Sequence, residues 1–147
     1  MRNFNVIKTM IRCGMGSMVI GLPYICYVFW DSKTEVFYWG LAAIFLGLAL
    51  IAISVAVSHM DNTFTRLILA MGYSTLVLLQ IPPVVFWLAY HGSSVSGANS
   101  PLALKAHWCL AIPHIALIVA GVLVVVSLIQ GNYKRIERDN KRTVVPW

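Results

Sequence analysis

Residues 36–60, VFYWGLAAIFLGLALIAISVAVSHM, run for 25 positions without an Asp, Glu, Lys or Arg. An α-helix needs roughly 20 apolar residues to cross a hydrocarbon core about 30 Å thick, so this stretch reads as a membrane span. Three more charge-free runs accompany it, at 13–30, 67–90 and 108–130, with 18, 24 and 23 residues. In hydrocarbon the backbone N–H and C=O groups must be satisfied inside the segment, which leaves the helix as the form each run takes. The expected fold is therefore an all-α membrane protein with four transmembrane helices. The 147-residue chain is 59% hydrophobic and 11% charged, against about 25% charged in an ordinary soluble domain. No stretch outside the runs is long enough to bury its own core. The chain reads as one four-span domain with a basic tail over 131–147.

The connections are short at 31–35 and 61–66, and Gly/Ser-rich at 91–100 (HGSSVSGANS). Short connections make neighbouring spans run antiparallel, giving an up-down-up-down bundle. Ser100-Pro101 has the form of an N-cap followed by proline at the first helical position, so helix 4 can begin before its span. Gln130-Gly131-Asn132 marks a stop, while Arg135/Asp139 and Glu137/Lys141 at i,i+4 favour a charged helix beyond it; both readings stand. A tandem hairpin duplication is a further expectation. Trp39-Gly40-Leu41-Ala42 recurs as Trp108-Cys109-Leu110-Ala111, and Met15-Gly16 as Met71-Gly72. Duplicated halves of this kind are related by an axis along the membrane normal.

The net charge of +6 is not spread evenly. Nine of the eleven Lys and Arg fall before span 1, in the 61–66 loop or in the tail; Lys33 and Lys105 lie on the other side. Basic residues near span ends stay in the cytoplasm, which places both termini there. Arg2, Lys8, Arg12, Lys134, Arg135 and Arg138 would then face anionic lipid headgroups. No aromatic side chains interleave with a basic groove, so nucleic acid is not an expected partner. The first run lacks a small-x-small cleavage site followed by a soluble domain and reads as a retained span. No Asn-x-Ser/Thr sequon occurs, which leans toward a bacterial cytoplasmic (inner) membrane.

Span 2 carries Gly40, Ala43, Gly47, Ser54 and Ser58 on one helical face. Apolar helices gain nothing from associating in apolar lipid unless their backbones approach closely, so this face is a packing surface. Its occupant is another helix of the chain or a helix of a partner protein. Pro23, Pro82, Pro83 and Pro113 all fall in the outer half under this topology, where kinked spans could splay into a cleft. Trp30, Trp39, Trp87, Trp108, Tyr38 and Tyr90 gather at the same level, partly as an aromatic belt.

Tyr73, Gln80 and His114 form the candidate intramembrane polar site, since polar residues at depth face the bundle interior; Tyr73, Gln80 and Trp87 are seven apart and share a face of helix 3. Gln80 is expected to bond the carbonyls of Leu78 and Leu79, which Pro82 and Pro83 leave without donors. His91, His107 and His114 are weak haem or metal candidates; their spacing matches no ligand motif. Cys13, Cys26 and Cys109 include no C-x-x-C; a Cys26–Cys109 disulfide and three buried thiols are the alternatives. No paired carboxylate, nucleophile–base pair or phosphate loop is visible, so the chain is not expected to be an enzyme, and no cofactor is assigned. The leading expectation is an accessory or interaction protein whose partners are the lipid bilayer and another membrane protein or a second copy of itself. It would be a subunit of a larger membrane complex, or an immunity or exclusion-type protein. The alternatives are a homo-oligomeric transporter or channel with a path near Gln80 and His114, and a haem- or quinone-binding redox subunit.

The charge distribution makes a direct prediction. In a cysteine-free background, an impermeant thiol reagent should label Gly97→Cys from outside and Asn140→Cys only after permeabilisation. The opposite pattern would reverse the orientation.

Overall fold

A computed structural model describes residues 6–26, 34–56, 62–89 and 107–143. They form four α-helices: α1 (Val6–Ile25), α2 (Thr34–Ala56), α3 (Thr63–Ala89) and α4 (Ala111–Thr143), the last entered through a 3-10 turn at His107–Leu110. Three are long and apolar enough to cross a membrane: Val36–Ala56 in α2, Thr63–Leu88 in α3 and Ala111–Gly131 in α4.

The first helix differs from its expected span. It begins at Val6, ahead of the charge-free run, and carries Lys8 and Arg12 in its opening turns. Its apolar part, from Cys13 to Ile25, is about 20 Å long at 1.5 Å per residue, short of the roughly 30 Å core. Residues 27–30 lie outside the described residues. The other boundaries also move. Helix α3 starts at Thr63 because Asn62 caps it: Thr65 N donates to Asn62 Oδ1 at 2.6 Å, which satisfies one of the free donors of the first turn. Helix α4 does not stop at Gly131 but continues to Thr143, a length of 33 residues or about 50 Å. The Arg66 guanidinium lies over Gly131, and this flexible end can move aside for a larger residue.

The helices are antiparallel in sequence. Gly14 faces Gly47 and Gly21 faces Gly40, so α1 and α2 run in opposite directions. Gln80 meets His114, and Val77 meets Gly121, in the same sense along α3 and α4. The order is up-down-up-down, with α1 packed most extensively on α2 and α3 on α4.

The α1–α2 seam is set by absent side chains. A Cβ on Gly14 would stand 2.8 Å from the Gly47 carbonyl oxygen, and one on Gly47 would stand 2.5 Å from that of Gly14. Gly21 and Gly40 repeat the reciprocal arrangement at 2.7 and 2.9 Å. Between the two pairs, Ser17 Oγ donates to the Ala43 carbonyl at 2.8 Å. Gly40, Ala43 and Gly47 therefore lie against α1. Ser54 turns toward α3, and Ser58 falls outside the described residues. Helices α3 and α4 have no such seam; there Gly121 packs against the Val77 side chain.

This seam predicts unequal tolerance at adjacent positions. Gly47→Leu forces α1 and α2 apart and should cost at least the 1–3 kcal/mol of an overpacked core, read as a lower melting temperature in detergent. Leu48 is 51% exposed, and Leu48→Phe should change the same scan little. Equal losses would place the seam elsewhere.

Candidate functional site

Each helix sends a side chain to one buried cluster. Helix α1 supplies Tyr24 and helix α4 supplies His114; each directly follows a proline, Pro23 or Pro113. Helix α2 supplies Trp39. Helix α3 supplies Gln80 and Trp87, which are seven residues apart and so share a face. Gln80, Trp87 and His114 are each no more than 1% exposed.

These groups form a hydrogen-bonded line. Trp87 Nε1–H donates to the Tyr24 hydroxyl oxygen at 2.6 Å. That oxygen lies 2.8 Å from His114 Nε2, and His114 Nδ1 lies 2.7 Å from Gln80 Oε1. The indole can only donate. Tyr24 accepts from it. Beyond that the His114 tautomer sets the direction: Tyr24 donates to Nε2 and Nδ1–H to the Gln80 oxygen, or Nε2–H donates to the Tyr24 oxygen and the turned Gln80 amide to Nδ1. In both the line joins Trp87, Tyr24, His114 and Gln80. Trp39 closes its side: its ring centroid lies 4.5 Å from that of Tyr24 and 5.3 Å from that of His114.

Gln80 and His114 are therefore together, but Gln80 does not serve the carbonyls expected of it. Trp39 Nε1–H donates to the Leu79 carbonyl at 2.9 Å, the one that loses its helical donor to Pro83. An indole reaching across from α2 replaces the missing bond, as freed backbone groups in apolar surroundings require. Pro113 breaks nothing, because it sits in the first turn of α4, where amides have no helical acceptor. Tyr24, Trp39 and Trp87 fill the level at which kinked spans could have splayed.

Tyr73 belongs to a second cluster. Its hydroxyl donates to the Met10 carbonyl at 2.9 Å and lies 3.1 Å from Ser54 Oγ. Ser54 in turn donates to the Leu50 carbonyl at 2.6 Å. Tyr73 and Gln80 are seven residues apart, about 10 Å along the axis, with fully buried Leu76 between them. The three polar residues do not line one site.

The remaining candidates stand apart. His91 and the side chain of His107 lie outside the described residues, and among those residues no three of His, Cys, Asp and Glu gather to hold a metal ion. All three cysteines are free: Cys13 is buried, while Cys26 and Cys109 are exposed. Lys8 and Arg12 are exposed on α1. Arg2 is outside the described residues, and Lys134, Arg135 and Arg138 lie on the final turns of α4.

Tyr24 was not singled out from sequence, and Trp39 was read as interfacial; Trp87 was read both at the interface and on the Tyr73/Gln80 face. A signal for Tyr24 existed, seven residues after Ser17 on the small-residue face of α1.

Tyr24→Phe removes the group that joins Trp87 to His114 and leaves a buried donor unmatched. It should cost about 1–3 kcal/mol, measured by reversible unfolding in mixed micelles. Tyr38, which is 65% exposed, is the control, and Tyr38→Phe should stay within about 0.5 kcal/mol. Equal effects would remove Tyr24 from the network. No family model, curated protein or solved structure matches this chain.

Proposed function

We propose that the chain is a small integral membrane protein that acts by association: an accessory subunit of a larger membrane complex, or an immunity or exclusion-type protein that recognises another membrane protein. In this reading it performs no catalysis. The observation that carries it is the inward closure of the polar groups. Tyr24, Trp87, His114, Gln80, Tyr73, Ser54 and Ser17 bond one another or nearby carbonyls. The large hydrophobic side chains left exposed, among them Phe45, Leu48, Leu78, Val119 and Ile129, present an apolar surface to lipid. A transporter or channel would need Gln80 and His114 on a path, and here they are enclosed.

Four spans remain the proposed topology. Helix α1 follows α2 through both glycine pairs, so it occupies the same depth as a helix of membrane length. Lys8 and Arg12 can extend their charged ends to the interface from exposed positions. With both termini cytoplasmic, the last 12 residues of α4 project about 18 Å past Gly131. They carry Lys134, Arg135, Arg138, Lys141 and Arg142, suited to anionic headgroups or to an acidic partner surface. The proposed location is a bacterial inner membrane, and the two hairpins share the connectivity that a tandem duplication would give.

Affinity purification of the tagged chain in mild detergent, at native expression, tests this. It should recover a second membrane protein in fixed stoichiometry. The double substitution Arg135→Glu, Arg138→Glu should weaken that recovery severalfold if the extension docks on the partner. Recovery of the chain alone, or of a homo-oligomer alone, would contradict the proposal.

A further inference from the structure

Only half of the Gln80 amide is used. Its oxygen lies 2.7 Å from His114 Nδ1, while its Nε2, in a residue with no exposed surface, has no partner among the described residues. Turning the amide over does not cure this. With the His114 proton on Nδ1, the amide oxygen accepts and the amide nitrogen is left over; with the proton on Nε2, the turned amide donates to Nδ1 and its oxygen is left over. Either way one end of a buried amide lacks a partner. Buried polar groups left unmatched by protein are ordinarily matched by ordered water.

We propose that the Gln80 amide binds one buried water molecule beside His114. The ligand class is a single small uncharged molecule that can accept or donate a hydrogen bond. Leu76 and Pro83, one turn before and after Gln80 on the same face, are buried themselves, so the surroundings suit a water and not a larger molecule. A water needs a second polar partner. Backbone carbonyls are the class of group that would supply it, since prolines remove helical donors from α1 and α3. The bound water ends the line from Trp87 on a group that both accepts and donates.

The chain has only two glutamines, Gln80 and Gln130, and this makes the test clean. Protein labelled with 15N at the glutamine side-chain amides and held in lipid nanodiscs should show two amide pairs. Gln130 is exposed, so Gln130→Glu removes its pair without disturbing the core. The remaining pair should show a direct dipolar cross-peak at the water frequency that persists in alkyl maltoside micelles. Cross-peaks to aliphatic and aromatic side chains alone would overturn the proposal. So would a cross-peak to the methylene beside a lipid ester carbonyl, lost in maltoside, since a lipid would then be the acceptor.

Discussion

A polar group inside an apolar bundle must find its partner within the fold, and that constraint organises this molecule. Tyr24 is the clearest case. Its hydroxyl accepts from Trp87 of α3 and shares a hydrogen bond with His114 Nε2 of α4, and both partners are enclosed. If either partner moved away, a buried donor or acceptor would be left unmatched, at a cost of about 1–3 kcal/mol. The bonds therefore work mainly as specification. Many arrangements of four apolar helices bury similar surface, but few match these groups.

The two kinds of contact divide the work. Within the first hairpin, glycines let backbones meet, and close packing replaces the hydrophobic drive that lipid does not supply. Between the hairpins, side-chain bonds recur: Tyr24 to His114, Trp87 to Tyr24, Trp39 to the Leu79 carbonyl, and Tyr73 to the Met10 carbonyl. The first hairpin is zipped by shape, and the second is fastened to it by polar groups at two levels. The arrangement makes use of the prolines. The carbonyl that Pro83 leaves free becomes the anchor for Trp39, so the break in one helix is a joint to another.

Much of this was legible in the sequence, and the rest was hidden for identifiable reasons. Three spans follow from length and composition, because a charge-free run of more than 20 residues has few alternatives. The first helix begins before its charge-free run because absence of charge marks apolar length and not helical length; Lys8 and Arg12 are helical all the same. Gly131 looked like a stop, but a glycine inside a helix costs only about 1 kcal/mol against alanine, and α4 runs through it. Gly40, Ala43 and Gly47 were readable as a packing face through periodicity. Periodicity does not tell which helix meets that face. Gln80 and His114 stood out as polar residues at depth. Tyr24, Trp39 and Trp87 did not, because amphipathic aromatics suit the membrane interface equally well. Only the pairing of helices turns their polar ends inward.

The central claim is that Tyr24 and His114 bind the two hairpins together. A double-mutant cycle measures it most directly, with Tyr24→Phe, His114→Leu and the double variant unfolded reversibly in mixed micelles. The account predicts a favourable coupling in the range of membrane side-chain hydrogen bonds, about 0.6 kcal/mol and at most about 1.7 kcal/mol. Strictly additive effects, with no coupling beyond error, would contradict it.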